Sequence, residues 1–479
     1  MPNRRTVRLA GIRLEKFKAF KDSKLIQLKP ISILVGKNSA GKSSIIKAIL
    51  ACAQTSSTPE KAAGLDLIGD LTNLGTFSDT IHGGDLSDNF SITFEIPPPS
   101  DDYEHNFSFT YKYSSSDSSP LDAIFSGVKA SYGGRTICRG SRFEKGQKTS
   151  GPGWRVVQAK FNELDIFGAE SEEQKGEVPE FIRDLRASWD EVIKKHHGSD
   201  AAEVIGSNYH LFLSDFKIHI QPKVTFGPTL NEGKEYPYFG YTAGASGFLN
   251  HQLARTIYLG PLRDEPSREA RLAQSSANRV GIRGEDLAIM LHVRRENTEF
   301  MEKFNSHLSA LGIAESATTT ASYTKSGDGK ELETGFIKVM VNKEGTERSL
   351  MDLGFGTSQV LPIVFELTLR KNRLIVLEQP ELHLHPAAQA ELGDLLKFSL
   401  EQGNQIIAET HSANLIERIR KLIRKGELSS DDVNIIYIRQ DSKGAAICDS
   451  IGFNDDGTFS DTWPEDDFFG EREKEIFDW

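Results

Sequence analysis

A glycine-rich stretch near the start of the chain has the residue types and spacing of a phosphate-binding loop. Residues 36–44, GKNSAGKSS, match the Walker A pattern G-x-x-x-x-G-K-[ST]. The apolar run ISILVG precedes the stretch and the helical pattern SSIIKAILACA follows it, so the loop connects a strand to a helix. Backbone N–H groups in such a loop turn towards phosphate oxygens, and the helix start adds partial positive charge. The sequence therefore predicts a nucleotide site, and the alternative is a glycine turn before an ordinary helix.

Two side chains of this loop are expected to contact a Mg²⁺-bound triphosphate. The ammonium group of Lys42 would reach the β- and γ-phosphates, and the hydroxyl of Ser43 would bind Mg²⁺. The residues predicted to bind the nucleotide through the loop are Gly36, Asn38, Ser39, Ala40, Gly41, Lys42, Ser43 and Ser44.

A second apolar run, far along the chain, ends in an acidic residue. The stretch LIVLEQPELHLHP, residues 374–386, begins as a buried strand pattern and reaches its first acid at Glu378. A phosphate-binding NTPase needs an acid at such a strand end to hold the Mg²⁺ shell. Because the loop and this acid are far apart in the sequence, we expect two halves of one domain to join in a single sheet, with the region between them inserted as a lobe.

Two further segments could also face phosphate. In QIIAETHSANLI, residues 405–416, His411 lies just past an apolar strand pattern, where its ring could donate a hydrogen bond to a γ-phosphate. In SLMDLGFGTSQVLPI, residues 349–363, Gly354, Gly356 and Ser358 lie at the predicted start of a helix. A second helix N-terminus facing phosphate is expected there.

The order of NSAGKSS, DLGFGTSQVLP, LEQPELHLHP and ETHS resembles that of the ABC-type ATPases of the SMC/RecF/OLD branch, particularly compact bacterial defence ATPases. The opening IRLEKFKAFKD and the late DGTFSDTWPEDDFF are also similar to those proteins. The resemblance implies an α/β fold with a split ABC-type ATPase domain, in which a mixed sheet packs with the P-loop helix. It implies an N-terminal half at 1–85, an inserted β-rich and helical lobe at 86–255, and a C-terminal half with an extension at 256–479.

The same resemblance implies that two protomers hold ATP and Mg²⁺ between them. Lys42 and Ser43 would bind ATP from one protomer, and the signature segment, residues 354–359, would approach the γ-phosphate from the other. The residues implied there are Gly354, Gly356, Ser358 and Gln359. The segment departs from the transporter form LSGGQ, and no apolar run approaches the roughly 20 residues that span a bilayer, so a transporter is not expected.

The resemblance also assigns catalytic roles. Glu378 aligns with the family's Mg²⁺-associated aspartate, so the implied metal ligands are Ser43 and Glu378. Gln379 occupies the position of the glutamate that polarises the attacking water, and a neutral amide can orient water but cannot accept its proton. Glu381 is a possible substitute base. We expect tight ATP binding and slow hydrolysis, with Glu378, Gln379, Glu381 and His411 as the catalytic residues.

His383 and His385 would share one side of an extended segment and could imitate a metal pair. No third ligand is evident nearby in the sequence. The resemblance implies instead that this loop meets the opposite protomer.

The net charge and the cysteine content of the chain disfavour some classes of protein. The formal net charge of −11 disfavours nonspecific wrapping of nucleic acid by the whole surface, although a local DNA-binding patch remains open. Three widely spaced cysteines, Cys52, Cys138 and Cys448, predict neither a disulfide framework nor a zinc site and fit a reducing cytoplasm. No secretory signal precedes the first strand pattern. We expect a cytoplasmic protein.

The hydrophobic pattern of the sequence changes twice between the two predicted halves. Short alternating runs indicate a β-rich section from about 86 to 160, and the pattern becomes helical from 171 to 197. Helical patterns follow YLGPLR up to about residue 312, and GFIKVMV predicts a further strand.

Three functions stay open. The chain resembles the ATPase subunit of two-gene antiphage systems such as Septu, with a separate HNH nuclease, or PARIS, with a separate Toprim nuclease. We expect a separate nuclease because the sequence after His411 is too short for a fused Toprim domain and the chain shows no H-N-H nuclease pattern. The expected partners are further copies of the chain and a nuclease (HNH type preferred, Toprim second), with DNA left open as a further partner and no membrane expected. The alternatives are a RecF-like ATPase that clamps DNA during repair and an ATP-gated scaffold for which hydrolysis is irrelevant.

Overall fold

The computed structural model describes residues 8–57, 64–97, 105–116, 119–141, 157–159, 209–214, 217–222, 237–265, 269–271, 278–325 and 331–461. Contacts divide the chain into two compact units, and the division falls within the P-loop helix, after Ser43. The first unit contains Leu28–Ser43 and the described part of Thr256–Trp479. The second contains Arg8–Gln27 and the described part of Ser44–Arg255. The predicted boundaries at residues 85 and 255 stay a prediction.

The elements are numbered here in chain order. The strands are β1 Gly11–Phe17, β2 Phe20–Asp22, β3 Ile26–Gln27, β4 Ile31–Val35, β5 Gly64–Leu65, β6 Asn89–Ile96, β7 Phe107–Ser116, β8 Ser119–Tyr132, β9 Arg135–Ser141, β10 Val157–Ala159, β11 Tyr209–Ser214, β12 Lys217–Pro222, β13 Ile257–Leu259, β14 Ala270–Arg271, β15 Ser316–Lys325, β16 Glu331–Lys343, β17 Thr346–Ser349, β18 Leu374–Glu378, β19 Gln405–Glu409, β20 Val433–Gln440 and β21 Ala446–Ile451. The helices are α1 Lys42–Ser57, α2 Phe77–Thr80, α3 Pro237–Ala254, α4 Leu287–Arg294, α5 Thr298–Ala310, α6 Phe355–Leu369, α7 Pro386–Glu401 and α8 Ala413–Arg424.

The first unit is built on a mostly parallel sheet in the order β13-β18-β19-β4-β20-β21, in which only β21 pairs antiparallel. Every residue of β4 and β19 is buried, as expected for parallel strands covered on both faces. The two predicted halves therefore meet in one sheet, because β4 comes from the start of the chain while its neighbours β19 and β20 come from the end. The predicted mixed α/β fold is confirmed.

Helices with long apolar faces cover this sheet. The first-unit core includes Val360, Leu361 and Val364 of α6 together with apolar residues of α7 and α8. On α6, the ring of Phe365 makes edge contacts with the rings of Phe300 and Phe304 on α5, at centroid distances of 5.1 and 6.0 Å. These aromatic pairs fix α6 against α5, and α6 carries the signature segment at its start.

A smaller antiparallel sheet, in the order β14-β16-β15 with β17 on β16, belongs to the same unit. The strand predicted from GFIKVMV lies within β16 and is confirmed. Strand β17 leads through a 3₁₀ turn at Leu350–Asp352 into α6.

The second unit contains an antiparallel sheet in the order β2-β1-β6-β7-β8-β5, with β3 beside β1 and β9 beside β8. Its core is aromatic: the rings of Phe90 and Tyr113 stack at 5.0 Å, and Phe17 and Phe125 pack on either side of this pair. The strands predicted between about 86 and 160 are confirmed by β6 to β10. The helix predicted over 171–197 lies outside the described residues.

Membrane-crossing length and apolarity are found together in none of the helices that the structure describes.

A buried ion pair inside the first unit is a position at which substitution is expected to destabilise the fold. Glu366 of α6 is fully buried and forms an ion pair with the guanidinium of Arg370. Its carboxylate also accepts a hydrogen bond from the backbone N–H of Val280 at 2.9 Å. Glu366→Ala should lower the free energy of unfolding by about 3 kcal/mol, because it leaves a mostly buried cation and a buried N–H without their acceptor.

The matched control is Lys303→Ala, which breaks an exposed i,i+4 pair with Glu299 on α5 and should change the free energy of unfolding far less, because solvent screens this pair. Urea titration followed by circular dichroism measures both variants. Equal losses in the two variants would show that the Glu366 pair does not stabilise the unit.

Candidate functional site

The P-loop connects β4 to α1 through backbone conformations that side chains rarely adopt. Gly36 has φ +141°, Gly41 has φ +116° and Ser39 has φ +62°. A Cβ at Gly36 would lie 2.0 Å from the carbonyl oxygen of Ile438 on β20, so only glycine fits at that point. Asn38 and Ser39 are exposed at the top of the loop, while Ala40 is buried under it. The predicted strand, loop and helix are confirmed.

Lys42, the first residue of α1, directs its side chain into the loop. Its buried Nζ donates to the carbonyl oxygens of Gly36 at 2.8 Å and Lys37 at 2.9 Å. The loop therefore holds an ammonium group at its centre, which is the charge that phosphate oxygens require. Ser43 and Ser44 follow in the first turn of the helix.

Strand order brings a second acid to this loop. Strand β19 lies between β4 and β18, and its last residue, Glu409, is the register partner of Glu378 at the end of β18. The hydroxyl of Ser43 donates to Glu409 Oε2 at 3.4 Å, and Lys42 Nζ lies 3.9 Å from Glu409 Oε1. Two carboxylates at the carboxyl edge of the sheet thus stand beside the P-loop. The sequence prediction included Glu378 and missed Glu409.

On its other side, Glu378 is held by Tyr258 of β13. The Tyr258 hydroxyl donates to Glu378 Oε1 at 2.8 Å. Burial and the nearby Glu378 raise the pKa of Tyr258, so its hydroxyl keeps its proton and remains a donor. This bond fixes one oxygen of Glu378 towards the outer strand.

The acids at this edge are desolvated and close to one another. Burial raises the pKa of Glu409 to about 7; Lys42 opposes this shift and Glu378 adds to it. Burial likewise raises the pKa of Glu381, against the hydrogen bond from the backbone of His411. A cation bound at this edge would therefore reduce the repulsion between the carboxylates and offset the cost of burying their charges.

The turn after Glu378 brings the other predicted catalytic residues together. Gln379 has φ +45°, and its backbone N–H donates to the carbonyl of Glu409 at 2.8 Å. Glu381 is buried; its Oε1 accepts the backbone N–H of His411 at 2.7 Å, while its Oε2 has no hydrogen-bond partner among the described residues. The His411 side chain is exposed just past β19.

Arg263, within YLGPLR, is a residue whose importance the sequence did not indicate. Its buried guanidinium donates to the carbonyls of Glu378 at 2.9 Å and Gln379 at 3.4 Å. Its backbone N–H donates to Gln359 Oε1, and its carbonyl accepts from Gln359 Nε2, both at 3.0 Å. Burial lowers the pKa of Arg263 to about 10, while Glu381 favours the charged form, so the group remains a cation at neutral pH.

The signature segment begins α6, as predicted from its glycines. Gly354 is the exposed N-cap, and Ser358 is buried in the first turns. A Cβ at Gly356 would lie 2.5 Å from the carbonyl oxygen of His383, so the helix start packs closely against the loop that follows β18. The Gln359 amide is buried and bound by Arg263, so within this protomer it does not face solvent.

His383 and His385 are exposed, and His385 caps α7 by accepting the backbone N–H of Ala387 at 3.3 Å. Among the described residues, no group of three or more His, Cys, Asp or Glu side chains is arranged to hold a metal ion.

The donor set beside the P-loop fits Mg²⁺ bound together with a nucleotide. Ser43 supplies a hydroxyl, and Glu378 and Glu409 supply carboxylates, so each protein donor is an oxygen. Mg²⁺ prefers such hard ligands, and it is usually held by one or two carboxylates while phosphate and water complete its shell.

Comparison with known proteins gives one family match. The model of the AAA ATPase domain family matches residues 8–205 and 265–416. These ranges include the P-loop, the signature segment, Glu378 and Glu409, whereas Tyr258 and Arg263 lie between them. A comparison with curated proteins gives no match.

Three SMC head domains are among the similar solved structures. An SmcHead bound to the C-winged helix domain of ScpA is 12% identical with a TM-score of 0.42, over 93% of this chain and 97% of that one. The SMC head domain from Thermotoga maritima is 12% identical with a TM-score of 0.37, over 92% and 98%. An Smc head domain with an extended coiled coil, bound to the C-terminal domain of ScpA derived from Pyrococcus furiosus, is 12% identical with a TM-score of 0.39, over 93% and 96%.

The close approach of Gly356 to the loop after β18 predicts opposite effects for one substitution at two helical glycines. Gly356→Ala should destabilise the protein by about 1–3 kcal/mol, because the added methyl group meets a backbone carbonyl. Gly247→Ala in α3, where nothing lies within 4 Å of the added Cβ, should stabilise it by about 0.5–1 kcal/mol through helix propensity. Thermal unfolding measures both changes, and a stabilised Gly356→Ala would contradict the packing.

Proposed function

The chain belongs to the AAA ATPase domain family, and from this premise we propose that it binds ATP with Mg²⁺ at the P-loop and hydrolyses it slowly. The observation that carries the proposal is the convergence of three groups at one sheet edge. The Lys42 ammonium lies inside the loop, the Ser43 hydroxyl contacts Glu409, and Glu378 lies next to Glu409 in register.

The binding roles follow from charge and reach. Lys42 would exchange its bonds to the loop carbonyls for bonds to the β- and γ-phosphates, and Gly36, Asn38, Ser39, Ala40, Gly41 and Ser44 would complete the loop around them. Ser43 and Glu378 would hold Mg²⁺. When bound, the ion neutralises charge that develops on the phosphoryl oxygens.

Slow hydrolysis is proposed because Gln379 follows Glu378 at the strand end. An amide can orient the attacking water but cannot take its proton. Glu381 is the nearby acid that could serve as base, and burial raises its pKa towards that task. One of its oxygens, however, already accepts the His411 backbone N–H, so its freedom to move is limited. His411 is proposed to donate to the γ-phosphate.

The signature segment is proposed to complete the site from a second protomer. Gly354 is exposed at the start of α6, where helix N–H groups and the helix dipole can meet a γ-phosphate. Gly356 and Ser358 would follow in the same turn. Gln359 is proposed to act through Arg263, since its amide makes both of its bonds to that residue's backbone.

A finer proposal concerns the biological setting. The order of motifs resembles that of defence ATPases such as the Septu and PARIS subunits, and we propose that the chain gates a separate nuclease, HNH type first and Toprim type second. ATP would favour a closed assembly that holds the effector, because the nucleotide binds that state more tightly than the open one. Co-purification with an adjacently encoded nuclease is the observation that would favour this setting over DNA repair.

Nucleotide binding is tested by removing the ammonium group. Lys42→Ala should raise the Kd for a fluorescent ATP analogue at least about a hundredfold, because losing a charge-assisted contact to phosphate costs about 3 kcal/mol. Lys47→Ala removes an ammonium from the same helix and should bind as the wild type does. Equal binding by Lys42→Ala and wild type would refute the site, provided that the two proteins have equal melting temperatures.

The role of Gln379 is tested by restoring an acid. Gln379→Glu should raise steady-state ATP turnover by about a hundredfold or more, the usual contribution of a positioned general base, with little change in ATP affinity. Phosphate release measured for both proteins under saturating ATP decides the outcome. A fast wild type that the substitution does not improve would contradict slow hydrolysis.

A further inference from the structure

Glu409 lies where the two recognised halves of the nucleotide site meet. Its strand, β19, pairs with β4 on one side and with β18 on the other. The carboxylate of Glu409 accepts a hydrogen bond from the Ser43 hydroxyl at 3.4 Å. Glu409 is also buried, so its carboxylate is held in a desolvated position close to the P-loop.

Glu378 is placed differently, although it is the acid that the strand-end pattern indicates. Its Oε1 accepts the Tyr258 hydroxyl from the outer strand β13, on the side away from β19. Along the carboxyl edge of the sheet the order is therefore Tyr258, Glu378, Glu409 and then the start of α1. An ion bound by Ser43 would meet Glu409 before it met Glu378.

We propose that Glu409 is a second carboxylate of the Mg²⁺ site, holding the ion next to Ser43 directly or through one bound water. The inference rests on the proposed function, because it concerns the same ATP site. Two carboxylates with a hydroxyl between strand and helix give a hard oxygen set of the kind that holds Mg²⁺ on a nucleotide. A divalent ion bound between these neighbouring carboxylates would also reduce their mutual repulsion.

A structural alternative is that Glu409 serves only as the counter-ion of Lys42, whose Nζ lies 3.9 Å from it. The two roles differ in which affinity Glu409 controls, that for the nucleotide or that for the divalent cation. A counter-ion changes nucleotide affinity whether or not a divalent cation is present. A metal-holding carboxylate changes the affinity for the cation and leaves metal-free nucleotide binding alone.

The test measures cation binding without turnover. Wild type, Glu409→Gln and Glu409→Asp are saturated with ADP and titrated with Mn²⁺ as the Mg²⁺ surrogate, and free Mn²⁺ is followed by electron paramagnetic resonance. Binding of ADP in EDTA is measured in parallel. Asp449→Asn, which removes an exposed carboxylate on β21 of the same sheet, is the control for surface Mn²⁺ binding.

We expect Glu409→Gln to raise the Kd for Mn²⁺ at least about tenfold, the usual effect of losing a supporting group of a metal site, with ADP binding in EDTA unchanged. Glu409→Asp should also raise the Kd for Mn²⁺, since its carboxylate is withdrawn by one methylene group.

Wild-type affinity for Mn²⁺ in both variants, or in whichever of them keeps the wild-type melting temperature, overturns the proposal. So does a changed affinity for ADP in EDTA with unchanged Mn²⁺ affinity, which would identify the counter-ion role. A wild type that binds no ADP in either buffer would instead refute the proposed function.

Discussion

The parallel pairing of β18, β19 and β4 is the constraint on which the candidate site depends. In parallel strands the residues at the carboxyl ends lie at one edge, and here the register sets Glu378 beside Glu409 and Ala408 beside Ile33. Strand β4 continues one residue past Leu34, the partner of Glu409, and the chain then returns through the P-loop to the start of α1, where Ser43 contacts Glu409. A shift by one residue in β19 would turn Glu409 to the opposite face of the sheet and separate it from Ser43.

Sequence reasoning predicted the parts of the site whose chemistry is local. The P-loop combines a fixed spacing with a preceding strand and a following helix, and the strand ends at Glu378 and before His411 are visible as the last residues of apolar runs. The lateral order of the strands is not visible in this way. Glu409 was part of the ETHS motif, but its contact with Ser43 depends on β19 lying directly beside β4, which no local pattern specifies.

Arg263 and Tyr258 were missed for a related reason. Their side chains act on residues more than a hundred positions away, as the separation of 115 positions between Arg263 and Glu378 shows. An arginine after a Gly-Pro turn is ordinarily a solvated surface residue, and only the folded sheet shows that this one is buried. A buried guanidinium needs hydrogen-bond acceptors, and the folded structure shows which carbonyl groups supply them. The sequence shows only that the residue is an arginine.

The same arginine joins the two parts of the site that need to respond together. Its guanidinium holds the carbonyls at the end of β18, and its backbone exchanges two hydrogen bonds with Gln359 in the first turns of α6. Gly356 adds a second link, because α6 approaches the carbonyl of His383 too closely for any side chain to intervene. A displacement of the helix start is therefore resisted at the strand end by buried hydrogen bonds and at the following loop by direct packing. Separating a buried polar group from its partner costs about 1–3 kcal/mol. The helix start and the turn that carries Gln379 are therefore expected to move together. The start of α6, which is proposed to meet a second protomer, is thus coupled to Gln379, which is proposed to face the attacking water, through contacts made within a single unit.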